Sequence, residues 1–132
     1  MMKQNSFNLS DMSLDKQKAP FVYTDEQLIA RFQAGDENAY IELVNRFRDR
    51  LINFVFQFLG DREQSEDVVQ DTMLKLYVKK HYYREIAKFS TWIYTIARNL
   101  ANTELRKRKR RKTTLLSQMT RDERDYDLPA IQ

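Results

Sequence analysis

The chain has 132 residues, 42% hydrophobic and 32% charged, with a net charge of +4, one histidine and no cysteine. That length fits one domain with a modest core, while the missing cysteines exclude a disulfide scaffold or thiolate metal site and a single histidine excludes a histidine cluster. No apolar run approaches the roughly 20 residues of a membrane helix, and Met1 to Pro20 lacks a signal-peptide core, so the reading is a soluble, cytoplasmic protein without membrane insertion.

Two glycines and two prolines are too few for the turns of a sheet protein. Gly35 and Gly60 are also too far apart for a glycine-rich phosphate loop. The fold class expected is all-α, a compact bundle of about four helices with disordered tails at both ends. Residues 1–23 are polar and irregular and read as a disordered extension. Thr24-Asp25-Glu26-Gln27 is a capping box, a threonine cap with glutamine three residues on. The helix it opens turns Leu28, Ile29 and Phe32 inward and ends at Gly35, where a left-handed residue is wanted.

Asp36 caps the next helix, Glu37 to Leu59. Its stripe of Tyr40, Val44, Phe47, Leu51, Phe54 and Phe58, spaced by fours and threes, reads as the core face. Gly60 stops it and Asp61 caps a third helix, Arg62 to Lys80, with Val69, Met73, Leu76 and Tyr77 inward. Acid in its first half (Glu63, Glu66, Asp67, Asp71) and base in its last turn (Lys75, Lys79, Lys80) suit the helix dipole. The stretch from His81 to Lys88 has no clean period and reads as a loop, with room for a short helical turn.

Phe89-Ser90 opens the fourth helix, with Ser90 as its cap, Phe89 stapled to Tyr94, and Ile93, Ile96, Ala97 and Leu100 inward. It enters an unbroken run of seven positive residues, Arg106 to Lys112, where like charges are expected to fray it. Residues 113–132 read as a linker or tail. The body up to Leu105 carries 14 basic and 15 acidic residues, so the positive excess sits in that one run. A concentrated basic block is more often a contact for an anionic polymer than a solubility device.

Thr91, Thr95, Arg98, Asn102 and Arg106 share one polar face of the fourth helix, with Asn99 beside it. Arginine and asparagine make forked hydrogen bonds to bases and phosphates, although charge alone does not separate such a face from a solvated one. Aromatic residues tip the balance. Tyr82, Tyr83 and Trp92 lie among Arg84, Lys88 and the helix cations, and single strands stack bases on rings while cations hold the backbone. Phe89 reads as core; Trp92, off the Ile93–Leu100 stripe, fits either role. On the third helix Asp67, Gln70 and Asp71 share a face. That face suits a basic protein partner or simply satisfies the helix dipole.

Three motifs carry a resemblance. Leu28 to Tyr40 (LIARFQAGDENAY) resembles the opening of bacterial sigma factors of the extracytoplasmic-function group. Glu66 to Asp71 (EDVVQD) resembles the acidic signature of their conserved region 2. Phe89 to Ala101 (FSTWIYTIARNLA) resembles their promoter-melting and recognition helix. The similarity covers about Thr24 to Lys112, with the spacing between motifs kept. It implies a transcription initiation factor whose region 2 domain, residues 24–112, docks on core RNA polymerase. It further implies docking of Asp67, Gln70 and Asp71 on the coiled-coil clamp of the largest subunit. The fourth helix and the loop before it would melt the promoter minus-10 element and bind its non-template strand. The residues that then face DNA are Tyr82, Tyr83, Arg84, Lys88, Trp92, Thr95, Arg98, Asn99, Asn102, Arg106, Lys107 and Arg110.

The resemblance also implies an anti-sigma protein as a partner. The loop Tyr82 to Lys88 departs from the family's shorter polar loop, so it does not name the residue of the flipped-base pocket. The second helical domain such factors carry, which reads the minus-35 element, is absent from this chain, and the tail from Thr113 resembles the linker to it; a fragment of a longer protein is therefore expected. No cofactor, metal or small-molecule substrate is expected. An enzyme finds little support, because no nucleophile and base pair stands out and His81 has no evident partner. The competing reading is a helical adaptor whose basic block binds RNA or anionic surfaces without sequence preference. The acidic face on the third helix separates the two, since an adaptor has no need of it.

Overall fold

A computed structural model describes the backbone of residues 21–131 and the side chains of residues 21–121; of the extension expected over residues 1–23, residues 1–20 lie outside the described residues. Four α-helices follow one another: α1 Asp25–Gln33, α2 Glu37–Leu59, α3 Arg62–Val78 and α4 Phe89–Ile131, with a short 3₁₀ turn at Lys80–Tyr82. No strand occurs among the described residues.

The first three starts are made by the residues expected from sequence. The Thr24 hydroxyl accepts from the Gln27 amide at 3.1 Å while Gln27 Oε1 accepts from the Thr24 amide at 2.8 Å. Asp36 accepts from the Asn38 amide and Asp61 from the Gln64 amide, both at 3.0 Å. Each such contact satisfies an otherwise orphaned helix donor. Gly60, at φ 65°, ends α2 in the left-handed region that other residues enter only at a cost.

The core is one cluster drawn from all four helices, centred on fully buried Phe32, Leu43, Phe47, Leu51, Val55, Leu76, Phe89, Ile93 and Ala97. On α2 the buried side differs from the expected stripe. Phe47 and Leu51 belong to it, but Ala39, Leu43, Ile52, Val55 and Leu59 complete it. Tyr40, Val44, Phe54 and Phe58 are only partly buried, at its margin. The reason is that different neighbours cover successive turns of α2. Its first turns meet Phe32 of α1 and Tyr77 of α3, and its later turns meet Tyr94 of α4. The buried side therefore winds around the helix, whereas a sequence stripe assumes one fixed direction.

On α3, Val69, Met73 and Leu76 are buried as expected, joined by Ser65, Val68 and Thr72. The two buried hydroxyls bond back to the preceding turn, Ser65 to the Asp61 carbonyl at 2.7 Å and Thr72 to the Val68 carbonyl at 2.8 Å. Small polar residues thus enter the core without leaving an unpaired group. Tyr77 instead reaches the surface, where its hydroxyl donates to the Glu37 carboxylate at 3.1 Å. On α4, Ile93 and Ala97 are buried but Ile96 and Leu100 only partly so, and Ala101 continues the buried line.

Three features of α4 correct the sequence reading. It begins at Phe89 rather than being capped by Ser90: the Phe89 amide donates to the Glu26 carboxylate of α1 at 2.8 Å. Phe89 packs on Phe47, Tyr83 and Trp92, while Tyr94 packs on Phe47 and Phe54, so the expected Phe89–Tyr94 staple gives way to tertiary contacts. The helix also runs unbroken through the basic run, where fraying was expected, and its described backbone continues to Ile131. Lysine and arginine are good helix formers. Three of the seven side chains find partners within the fold: Arg106 donates to Thr103, Arg111 pairs with Glu104 at 3.6 Å, and Arg108 folds back onto the bundle, donating to Gln64 and to the Leu59 carbonyl.

Candidate nucleic-acid interface

The exposed side of α4 carries the polar face read from sequence. Thr91, Thr95, Arg98, Asn99 and Arg106 are exposed and Asn102 is half-buried. The face is ordered from within: Thr95 donates to the Thr91 carbonyl at 2.7 Å, and Arg106 donates to the Thr103 hydroxyl at 3.1 Å. Lys107 and Arg110 extend it, both exposed.

A shallow groove runs along each flank of this face. One, between α3 and α4, is lined by Lys75, Lys79, Tyr82, Trp92, Asn99 and Thr103 among others. The other, on the α2 side, includes Phe54, Thr91, Tyr94, Thr95, Arg98 and Asn99. Asn99 lines both and so stands on the ridge between them. An amide there can donate and accept toward either groove.

The loop residues divide. Tyr82 is 70% exposed, with the Lys79 ammonium 4.9 Å from its ring centre. Arg84 and Lys88 are exposed as well. Tyr83 is not: it is buried at 6% exposure, its ring packed on Phe89 and Trp92 and its hydroxyl donating to the Ala87 carbonyl. Sequence places Tyr83 among the strand-facing residues; the structure instead buries it, in edge-type contact with Phe89 and Trp92. Trp92 is half-buried, packed on Tyr83 and Phe89 while also lining the α3–α4 groove. Burial holds the Tyr83 phenol above its usual range, with Glu26 and Glu85 adding to the effect.

Asp67, Gln70 and Asp71 are all exposed on α3. The face continues in Leu74 and Val78, 60% and 66% exposed, which fall on the same side at helical spacing. Sequence reading missed this apolar extension, although two apolar residues outside the Val69–Leu76 set were the available signal. It also missed Lys75 and Lys79 as groove residues, having credited them only to the helix dipole. The acidic face and the lysine side of α3 lie about a quarter turn apart. Nothing among the described residues gathers three or more metal-ligating side chains, and no described helix is long and apolar enough to cross a membrane.

The chain has known relatives. Residues 43–111 match the family model described as Sigma-70 region 2. The RNA polymerase sigma-H factor of Pseudomonas aeruginosa is 34% identical over 87 residues, 66% of this chain and 45% of that protein. The ECF RNA polymerase sigma factor SigW of Bacillus subtilis is 32% identical over 81 residues, 61% of this chain and 43% of its own length. The chain thus spans less than half the length of these relatives. An engineered region 2 of sigmaE, solved by NMR in complex with GTAAAA, superposes with a TM-score of 0.62 at 35% identity, covering 67% of this chain and 93% of that one. The chain belongs to the Sigma-70 region 2 family.

Proposed function

We propose that residues 24–112 form a transcription initiation module that docks on core RNA polymerase and binds the melted minus-10 non-template strand of a promoter. The observation that carries this reading is the separation of charge. Exposed Asp67 and Asp71, which flank neutral Gln70 on one face of α3, would repel a phosphate backbone, whereas exposed Arg98, Arg106, Lys107 and Arg110 on α4 attract one. A domain with two such faces can bridge a basic protein surface and a nucleic acid. Leu74 and Val78 add apolar area beside the acidic residues, which suits the coiled-coil clamp of the largest polymerase subunit.

The chemistry is binding, not covalent catalysis, and needs no cofactor or small-molecule substrate. Unstacking a base costs a few kcal/mol, recovered when flipped or splayed bases meet protein surfaces. Here Tyr82 and Trp92 offer ring surface, Asn99 reads base edges, and the basic run holds phosphates. The structural relative, an engineered region 2 of sigmaE, was solved in complex with GTAAAA, which supports a nucleic acid as ligand. An anti-sigma protein covering the same faces in the cytoplasm belongs to this reading.

The test has two arms. The chain is expected to be retained by core RNA polymerase at moderate salt. In fluorescence anisotropy at low salt, a single strand selected by the chain from a random DNA pool is expected to bind more tightly than its complement or the duplex. Equal binding to all three, with no retention by polymerase, would leave the nonspecific basic adaptor.

A further inference from the structure

The loop between α3 and α4 has little to hold it in place from within. Between Arg84 and Lys88 its main chain makes one turn contact, Ala87 amide to Arg84 carbonyl at 3.4 Å, and the Tyr83 hydroxyl closes the same turn on the Ala87 carbonyl. Its two ends are held from outside, and both by α1. The Gln33 side-chain amide donates to the Lys80 carbonyl at 2.7 Å and to the Tyr83 carbonyl at 3.2 Å. The Lys80 ammonium sits 4.5 Å from the ring centre of Phe32. At the other end Glu26 accepts from the Phe89 amide at 2.8 Å, the first residue of α4. Residues 26 and 33 are seven apart, so they lie on one side of α1 about 10 Å apart along its axis.

From this geometry we infer that Glu26 and Gln33 are positioning residues: α1, which carries none of the strand-facing side chains, sets the place of the loop and the start of α4 and thereby presents Tyr82 and Trp92 to the strand. The Glu26 carboxylate does two things there. It satisfies an orphaned helix donor, and it puts negative charge at the positive end of a long helix. Gln33 uses one nitrogen to join two loop carbonyls three residues apart, which fixes the curvature of the 3₁₀ turn that carries Tyr82. The inference rests on the reading of α4 and its loop as the strand-binding side. It adds α1 to that side as a helix whose side chains hold main-chain atoms of the loop and of α4 instead of touching DNA.

The full chain carries its own reporter, since Trp92 is its single tryptophan and packs 5.4 Å from Tyr83. In Glu26→Ala the Phe89 amide is expected to exchange with solvent roughly tenfold faster, and strand selectivity to fall roughly three- to tenfold. Trp92 emission should shift in both Glu26→Ala and Gln33→Leu. Glu26→Gln, which keeps an acceptor oxygen, should restore most of the selectivity. Retention by core polymerase, which uses α3, and the salt slope of nonspecific DNA binding should stay as in the parent. A general loss of structure would instead lower all of these together.

The probe is the single strand selected by the parent chain from a random pool, set against its complement. Faster Phe89 exchange with unchanged selectivity would overturn the inference, as would unchanged exchange and emission in both variants. A parent chain with no strand selectivity would overturn the strand-binding reading itself, a result read before any variant is made.

Discussion

Arg108 and Leu59 are 49 residues apart in the chain, yet the Arg108 guanidinium donates to the Leu59 main-chain carbonyl at 2.9 Å. The same group also meets Gln64 Oε1. An arginine from a run of seven cations is thus occupied in closing the C-terminal end of α2, whose last carbonyls have no partner within the helix. Replacing Arg108 with glutamine is expected to cost about 1–3 kcal/mol and to lower the melting temperature by several degrees. Lysine should not rescue it, because the fork that reaches two acceptors is lost. Arg110→Gln, at an exposed position, should leave the melt within about 0.5 kcal/mol of the parent. Thermal melts of the three variants decide the matter.

The adjacent tyrosines should behave oppositely. Tyr83→Ala removes one ring of a mutually packed cluster with Phe89 and Trp92 and should destabilise the fold by about 3–5 kcal/mol. Tyr82→Ala, at a position 70% exposed, should leave stability within about 0.5 kcal/mol while weakening single-strand binding by about 1–3 kcal/mol. Urea melts and anisotropy on the same samples separate the two effects. Weakened binding without destabilisation in Tyr83→Ala would count against the placement of that ring.

Charge reversal on α3 addresses the polymerase face. Asp67→Lys with Asp71→Lys is expected to abolish retention by core polymerase at moderate salt while leaving the circular dichroism spectrum and the melt unchanged, since both residues are exposed. Leu74→Asp should weaken retention in the same direction by removing the apolar extension. Normal retention of the doubly reversed chain would remove this face from the docking assignment.

The basic run should act through counterions. Lys107, Lys109 and Arg110 are exposed, and replacing all three with glutamine is expected to reduce the log–log salt slope of duplex binding by about 2–3. Strand preference should hardly change, because phosphate contacts carry no base information. Titrations at several salt concentrations give the slope directly.

Three tyrosines predict a stability edge at high pH. Tyr40 is raised by burial, with Tyr77 and Glu37 adding to it; Tyr77 is raised by its hydrogen bond to Glu37; Tyr83 is raised by burial. Each phenol in the unfolded chain ionises near pH ~10. A raised folded value means that the folded state holds its protons longer, so the stabilisation is complete below pH ~10 and is lost as pH climbs through the folded values. The urea midpoint should fall above that pH, and Tyr77→Phe should soften the fall. Tyrosinate absorbance followed across the same range in the parent and in Tyr40→Phe, Tyr77→Phe and Tyr83→Phe assigns the late-ionising rings by difference.

Local rules were legible where the cause is local. Thr24, Asp36 and Asp61 cap the helices they precede because a cap needs only a side chain two or three residues from its amide. The polar face of α4 and the acidic face of α3 followed from spacing alone. What could not be read was any choice made by a distant partner. Ser90 is a good cap by type, yet Glu26, 63 residues away, takes the Phe89 amide. Tyr82 and Tyr83 are alike in sequence and opposite in burial, since the turn between α3 and α4 decides which ring meets Phe89. Arg108 looked like its neighbours in the run, and only the end of α2 sets it apart.

The continuity of α4 gives the molecule a ruler with a fixed phase. Thr91 and Arg106 stand on the same side of one uninterrupted helix, about 22 Å apart along its axis at 1.5 Å per residue. The distance from the end proposed to read bases to the end proposed to hold phosphates is therefore a count of peptide units, not the outcome of a hinge. One residue inserted between Asn99 and Arg106 would lengthen the ruler by only about 1.5 Å but turn everything beyond it by about 100°. Arg106 would swing off the strand side and Arg108 off its seat on Leu59, so this stretch tolerates substitution far better than any change in length.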